Sequence, residues 1–261
     1  MSIQSDPSTD GIPAATVVIF RHGEEDGPPE ILMVVRSRNL SFAGGAAVFP
    51  GGRVDEADRV LAARLEHGCC DDDEAAHRIA AIRETLEETG LAVGLLGPVD
   101  AERAIAARAI LLEEQALAPV LERFGWTVDF AALTPFTRWL PRGMRHERIF
   151  DARFYLADLG TGAVEVAVDA TENTRLFWTT AAGALAAAER GEISVIFPTR
   201  RNLERLATFT HFAAARAQAE AVPCKTISPE VVERDGARWL TIPDGLGYPV
   251  TEERLDRAFR G

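Results

Sequence analysis

Glu84, Glu87 and Glu88 stand three and four residues apart in the run Arg83-Glu84-Thr85-Leu86-Glu87-Glu88-Thr89-Gly90-Leu91, in the last turn of a predicted helix. At about 100° per residue the three fall on one side, while Ile79, Ile82 and Leu86 form an apolar stripe on another. Like charges at this spacing repel by roughly 0.2–0.5 kcal/mol per pair. Gly90 reads as a left-handed C-cap, which places the acids at the negative end of the helix dipole, a further roughly 0.3–1 kcal/mol each. A bound divalent cation removes both penalties, and hard cations such as Mg²⁺ or Mn²⁺ take carboxylate oxygens. Taken alone, the helix reads equally well as a solvated acidic face.

A second feature lies upstream, in Val48-Phe49-Pro50-Gly51-Gly52-Arg53-Val54-Asp55-Glu56-Ala57-Asp58. A short apolar strand runs into Pro-Gly-Gly, a strong turn signal. Adjacent glycines let the backbone approach a phosphate, or offer the Gly52 carbonyl to a metal. Arg36 and Arg38 precede this turn, and Arg142, Arg145 and Arg148 cluster with His146 further on. Guanidinium forks suit phosphate oxygens. Each arginine on its own also reads as a surface ion pair.

Together, the turn and the helix resemble the signature of the Nudix hydrolases. Gly52 matches its opening glycine, and Arg83, Glu84, Glu87, Glu88, Gly90 and Leu91 match its helical half. Asp58 stands where the family usually has Glu, and residues 59–82 replace a short spacer before Arg83. The extra stretch, about 59–73, reads as a short helix carrying Val60, Leu61 and Leu65, then an acidic turn. A lid, a dimer contact and decoration all fit it, so a homodimer stays open.

Val34-Val35-Arg36-Ser37, Leu40, Gly45 and the Pro-Gly-Gly turn are similar to the coenzyme A and acyl-coenzyme A diphosphatase branch, whose members carry a like insertion. So are Leu133-Thr134-Pro135, Trp139-Leu140-Pro141, Arg148-Ile149-Phe150-Asp151-Ala152-Arg153-Phe154 and Glu172 ahead of Trp178. An Arg that the branch usually has near Ser41 is absent. The resemblance implies metal ligation by Glu84, Glu87, Glu88 and the Gly52 carbonyl, with Arg83 orienting the glutamates. One of those carboxylates, or Glu172, would take the proton from water. Arg36, Arg38, Gly51, Gly52, Arg145 and His146 would meet substrate. It implies hydrolysis of a nucleoside diphosphate linked to another moiety, foremost coenzyme A or an acyl-coenzyme A. ADP-ribose, NADH, dinucleotides and nucleotide sugars are the enzymatic alternatives, and a non-catalytic nucleotide sensor is the other class.

Composition sets limits on partners. A net charge of −12 argues against a nucleic-acid polymer and means that a phosphorylated small molecule needs local cations. Lys225 is the only lysine, so arginine must supply them. No apolar run is long enough for a membrane helix. Cys69, Cys70 and Cys224 make no disulfide framework, which suits a reducing cytoplasm. His67, Cys69, Cys70 and His77 lack the paired spacing of a zinc site. His22 and His211 read as surface or packing residues.

The elements that must position these groups follow from periodicity. Segments 16–20, 31–35, 134–140, 148–156 and 176–179 read as strands, with a hairpin loop at 24–29. Segment 101–124 reads as a helix broken at Pro119, 200–219 as one helix, and the stretch after 179 as a helix through Arg190. Asp235-Gly236 between 231–234 and 238–242 is a hairpin signal. Strands interleaved with helices give an α/β (α+β) fold. The resemblance implies a Nudix α/β/α sandwich with a mixed sheet. The expected organisation is a disordered tail at 1–13, then one domain over 14–261. Its insertions lie at about 59–73 and 101–124, and its C-terminal extension at about 191–261.

Overall fold

Strand β1 (Ile12–Arg21) sends Ala15, Val17 and Ile19 to one apolar cluster and Val18 and Phe20 to another, as a strand covered on both faces must. The computed structural model describes residues 11–23, 27–37, 43–68, 71–142, 149–160 and 173–258. β1 starts inside the segment that the sequence reading gives to the tail: Ile12 and Pro13 pair with Phe150 and Asp151. Strand β2 (Glu30–Arg36) returns antiparallel, with Phe20 opposite Ile31. Residues 24–26 of the expected loop lie outside the described ones.

β3 (Ala47–Val48) pairs with β2, and β4 (Gly51–Arg53) turns back onto Ala14, Ala15 and Thr16 of β1. Two helices follow, α1 (Glu56–Ala62) and α2 (Asp72–Thr89). The expected insertion is therefore a short helix, a turn and the start of α2. The acidic residues read as a turn include the Asp71 N-cap, whose side chain accepts the Glu74 N–H at 2.7 Å. Asp72, Asp73 and Glu74 fill the first helical turn, where negative charge is favourable.

The next segment holds β5 (Leu95–Leu96), α3 (Ala101–Glu114), α4 (Leu117–Phe124) and β6 (Thr127–Val128). The helix break falls at Gln115, not at Pro119. A proline ring clashes with the carbonyl four residues earlier, which here is that of Gln115. Gln115 leaves the helix in a left-handed conformation (φ 53°), and Pro119 sits in the first turn of α4, where no N–H is required.

β7 (Thr134–Trp139) and β8 (Phe150–Asp158) pair antiparallel, β8 runs parallel to β1, and β9 (Asn173–Thr180) pairs antiparallel with β2. Helices α5 (Ala181–Glu189), α6 (Phe197–Leu206) and α7 (Phe212–Ala221) follow. The single helix expected over 200–219 is two, interrupted where His211 N-caps α7 by accepting the Ala214 N–H at 3.1 Å. β10 (Thr226–Ile227) then runs parallel to β7. Among the described residues the main sheet has eight strands, ordered β10-β7-β8-β1-β2-β3, with β4 on β1 and β9 on β2. A separate sheet joins β11 (Glu230–Arg234), β12 (Ala237–Thr241) and β13 (Glu252–Arg254), ahead of α8 (Leu255–Ala258). The turn between β11 and β12 is the expected one, with Asp235 and Gly236 both at positive φ.

Residues of α1 to α4 bury Leu61, Ile79, Ile82, Leu86 and Leu111 against one face of the sheet. α5 to α7 and the C-terminal segment bury Ala184, Leu203, Ala215, Leu240 and Tyr248 against the other. The result is a mixed sheet between two helical layers, the α/β/α arrangement expected. Among the described residues no helix is long and apolar enough to cross a membrane.

Candidate active site

The acidic turn is fixed by the helix that carries it. α2 buries Ile79, Ile82 and Leu86 and ends at Gly90, which is left-handed (φ 76°) and donates its N–H to the Leu86 carbonyl at 2.9 Å. The last turn of α2 holds no basic residue. Glu84, Glu87 and Glu88 therefore sit at the unfavourable dipole end, as the sequence implied.

β4 lies against this turn, and its glycines make that possible. Gly51 has φ +152°, and a Cβ there would lie 2.2 Å from the Ala15 carbonyl oxygen of β1. At Gly52 a Cβ would lie 2.3 Å from Oε1 of Glu84. The bare backbone of Gly52 is what lets that carboxylate approach. The Gly51 N–H donates to Glu88 Oε2 at 2.9 Å, and Asn173 Nδ2 donates to Glu88 Oε1 at 3.0 Å. Asn173 is the first residue of β9 and is buried; its Oδ1 has no partner among the described residues.

Arg83 ties the remaining acids together. It is buried, and its Nε and Nη2 donate to Asp58 Oδ1 and Oδ2, both at 3.0 Å. Nη1 donates to Glu84 Oε1 at 2.8 Å and lies 3.6 Å from Glu87 Oε2. Nη2 also reaches the Arg53 carbonyl at 2.8 Å. Burial alone would lower the pKa of Arg83, but the hydrogen bond to Asp58 and the charges of Glu84, Asp58 and Asp55 outweigh it and hold it above its ordinary value. Asp58, which stands where the family usually has Glu, is almost fully buried, and both its oxygens are engaged by Arg83. It also accepts the Asp55 N–H and completes the N-terminal capping box of α1.

Burial pushes the Glu84 carboxyl up to about 8; Arg83 opposes this, while the charges of Glu88 and Glu87 add to it. A cation among these oxygens would return Glu84 to its charged form. In donor type and charge the set fits a hard divalent ion. Among the described residues, however, no three His, Cys, Asp or Glu side chains are gathered so as to hold an ion. Arg83 spans Glu84 and Glu87, and Glu88 is turned to Gly51 and Asn173, so side-chain rotation must bring the oxygens onto a common centre.

The turn opens into a cleft of about 770 Å³. Arg36, Arg53, Gly51, Gly52 and the three glutamates line it, as do the apolar side chains of Trp139, Phe154, Phe197 and Leu240. Arg36 Nε is buried and has no partner among the described residues. The structure thus brings together Arg36, Gly51, Gly52, Arg83, Glu84, Glu87 and Glu88 of the expected site. Arg38, Arg145, His146 and Glu172 lie outside the described residues, as do Cys69 and Cys70. His67 is 3.0 Å from Asp72, and buried His77 bonds the Asp73 carbonyl at 2.7 Å. The sequence reading missed Asn173 and the pairing of Asp58. Asn173 gives no local signal, since its partner is 85 residues away.

Residues 12–117 match the profile of the NUDIX domain. The chain is 28% identical to acyl-coenzyme A diphosphatase NUDT19 of Gallus gallus, over 69% of this chain and 62% of that protein. It therefore spans about three-fifths of that relative's length. A crystal structure of a NUDIX hydrolase from Alicyclobacillus acidocaldarius superposes with a TM-score of 0.68 at 28% identity, over 80% of this chain and 96% of that one.

Proposed function

The chain carries a NUDIX domain, and we propose from this that it is a pyrophosphohydrolase whose favoured substrate is coenzyme A or an acyl-coenzyme A. The products are adenosine 3′,5′-bisphosphate and phosphopantetheine or its acyl derivative. The observation that carries the reading is the packing of the Glu84, Glu87 and Glu88 turn against Gly51 and Gly52, in a cleft that is also lined by arginine and by apolar side chains. The chicken relative, an acyl-coenzyme A diphosphatase, supports the substrate class.

A diphosphate resists hydrolysis because its own charge repels nucleophiles. Mg²⁺ or Mn²⁺ held by Glu84, Glu87, Glu88 and the Gly52 carbonyl would neutralise that charge and acidify a water. The chain's own groups do the rest. Arg83, pinned by Asp58, holds Glu84 and Glu87 in place. Asn173 and the Gly51 N–H hold Glu88. Arg36 Nε, which has no partner among the described residues, donates to a phosphate oxygen, with Arg38, Arg145 and His146 as further contacts. A carboxylate of the acid turn, or Glu172, accepts the water proton as the oxygen attacks phosphorus and the bridging P–O bond breaks. A reducing, cytoplasmic setting is part of the proposal.

Purified protein with Mg²⁺ or Mn²⁺ is expected to convert coenzyme A and acyl-coenzyme A to 3′,5′-bisphosphate, read by chromatography. Intact coenzyme A beside cleaved ADP-ribose, NADH, dinucleotide or nucleotide sugar would move the substrate to another class. Binding without cleavage of any of them would make the protein a sensor.

A further inference from the structure

The last turn of α2 cannot supply its own C-terminal cation, because acids occupy those positions. α3 supplies one from outside. Arg108 Nε donates to the Glu87 carbonyl at 2.8 Å, and its Nη2 stands 3.5 Å from the Glu88 carbonyl. The preceding carbonyl, that of Leu86, is taken by the Gly90 N–H. Arg108 therefore takes the next two carbonyls that a helix end leaves without partners. Ala104, Ala107 and Leu111 are buried at positions −4, −1 and +3 from Arg108, which anchors this face of α3 on the core. α3 runs on to Gln115, which lines the cleft.

We propose that Arg108 is a positioning residue for the acid turn: by closing the end of α2 on the Glu87 and Glu88 carbonyls, its guanidinium fixes the side chains of those two acids. The inference rests on the reading of this turn as the cation-holding set. Two effects of Arg108 have opposite signs. Its positive charge opposes cation binding nearby, whereas its hydrogen bonds order the ligands. Outer supports of metal ligands are worth about 10- to 100-fold in metal affinity, so ordering is the larger effect.

The sign is the test. Mn²⁺ binding to the full chain is read by electron paramagnetic resonance, with Glu87→Gln marking the site and circular dichroism checking the fold. Arg108→Met is expected to weaken Mn²⁺ binding by about tenfold or more, and Arg108→Lys, which restores charge and a donor, to recover most of it. Unchanged or tighter binding in folded Arg108→Met overturns the proposal, as does a loss that Arg108→Lys leaves untouched. If Arg108→Met does not fold, Arg108→Gln carries the test: weaker binding supports the role, and equal or tighter binding removes it. Wild-type protein that binds Mn²⁺ no better than Glu87→Gln would instead overturn the acid-turn reading, and the role of Arg108 with it.

Discussion

Asp58 and Arg83, 25 residues apart, form a buried two-pronged pair, with both N–H···O contacts at 3.0 Å. The pair joins α1 to the acid-bearing end of α2. It leaves the Arg83 Nη1 for Glu84 and Glu87. Asp58 thus reaches the acid turn through one intermediary, and the shorter Asp side chain in place of Glu suffices.

Asp58→Ala should take the carboxylate from Nε and Nη2 of the buried Arg83, which keeps Glu84 and the Arg53 carbonyl. A lost hydrogen bond to a charged group costs about 1.5–3 kcal/mol, so thermal unfolding should move down by several degrees, and activity should fall with it. Asp58→Asn keeps the shape and an acceptor, and should cost less. A melting temperature unchanged in Asp58→Ala would contradict the pairing.

Gly52→Ala separates activity from stability. The added Cβ meets the tip of a side chain, that of Glu84, which can swing aside. Unfolding should change little, while turnover should fall by about 100-fold, the effect of an ångström-scale displacement. A variant with normal turnover would show that Glu84 is not needed where it lies.

Asn173→Ala removes a donor to Glu88. A hydrogen bond to a charged group is worth about 1.5–3 kcal/mol, so turnover should drop roughly 10- to 100-fold. Asn173→Asp, which sets a like charge against Glu88, should drop it further. Steady-state kinetics at saturating metal decides; equal rates in all three proteins would sink the assignment.

His77 gives the pH dependence. Burial lowers its pKa from 6.5, with Arg153 acting the same way and the Asp73 carbonyl opposing. As pH falls below about 6.5, the unfolded chain takes up a proton that the folded ring refuses, so stability declines. Asp73 has its pKa lowered from 3.8, against burial, by its bonds to Arg59 and Arg153. Its own contribution is present above about 3.8 and is lost only at lower pH. Glu84, pushed up to about 8 by burial, has the opposite sign: between about 4.5 and 8 the folded chain keeps a proton that the unfolded chain releases, so this contribution falls as pH rises. The share of His77 is therefore read as a difference. In denaturant titrations of the metal-free protein between about pH 4.5 and 6.5, stability should rise more steeply, or fall less steeply, with pH in the wild type than in His77→Leu, and identical slopes would refute the assignment.

The legible parts of the fold were those written in local sequence. The Ile79, Ile82 and Leu86 stripe, the left-handed Gly90 and the Asp235-Gly236 turn each depend on residues within a turn or two of one another. Gly51 and Gly52 were legible as a turn, but that the second glycine makes room for Glu84 was not, because Glu84 arrives from 32 residues on. Asn173 and Arg108 carry no motif; their partners are 85 and about 20 residues away, joined only by the sheet and the α2–α3 packing. The misplaced break in 101–124 and the missed one in 200–219 have local causes that propensity alone does not weigh: the ring of Pro119 acting back on Gln115, and the His211 side chain capping α7.

On the proposed reading, the acids at the end of α2 hold a divalent cation that makes diphosphate hydrolysis possible. Turnover of coenzyme A with saturating Mg²⁺, compared between wild type and Glu87→Gln, tests it most directly. The substitution keeps the shape and removes one negative oxygen ligand. A fall of several orders of magnitude, with the fold intact, is the predicted result. Near-normal turnover in Glu87→Gln would contradict the account.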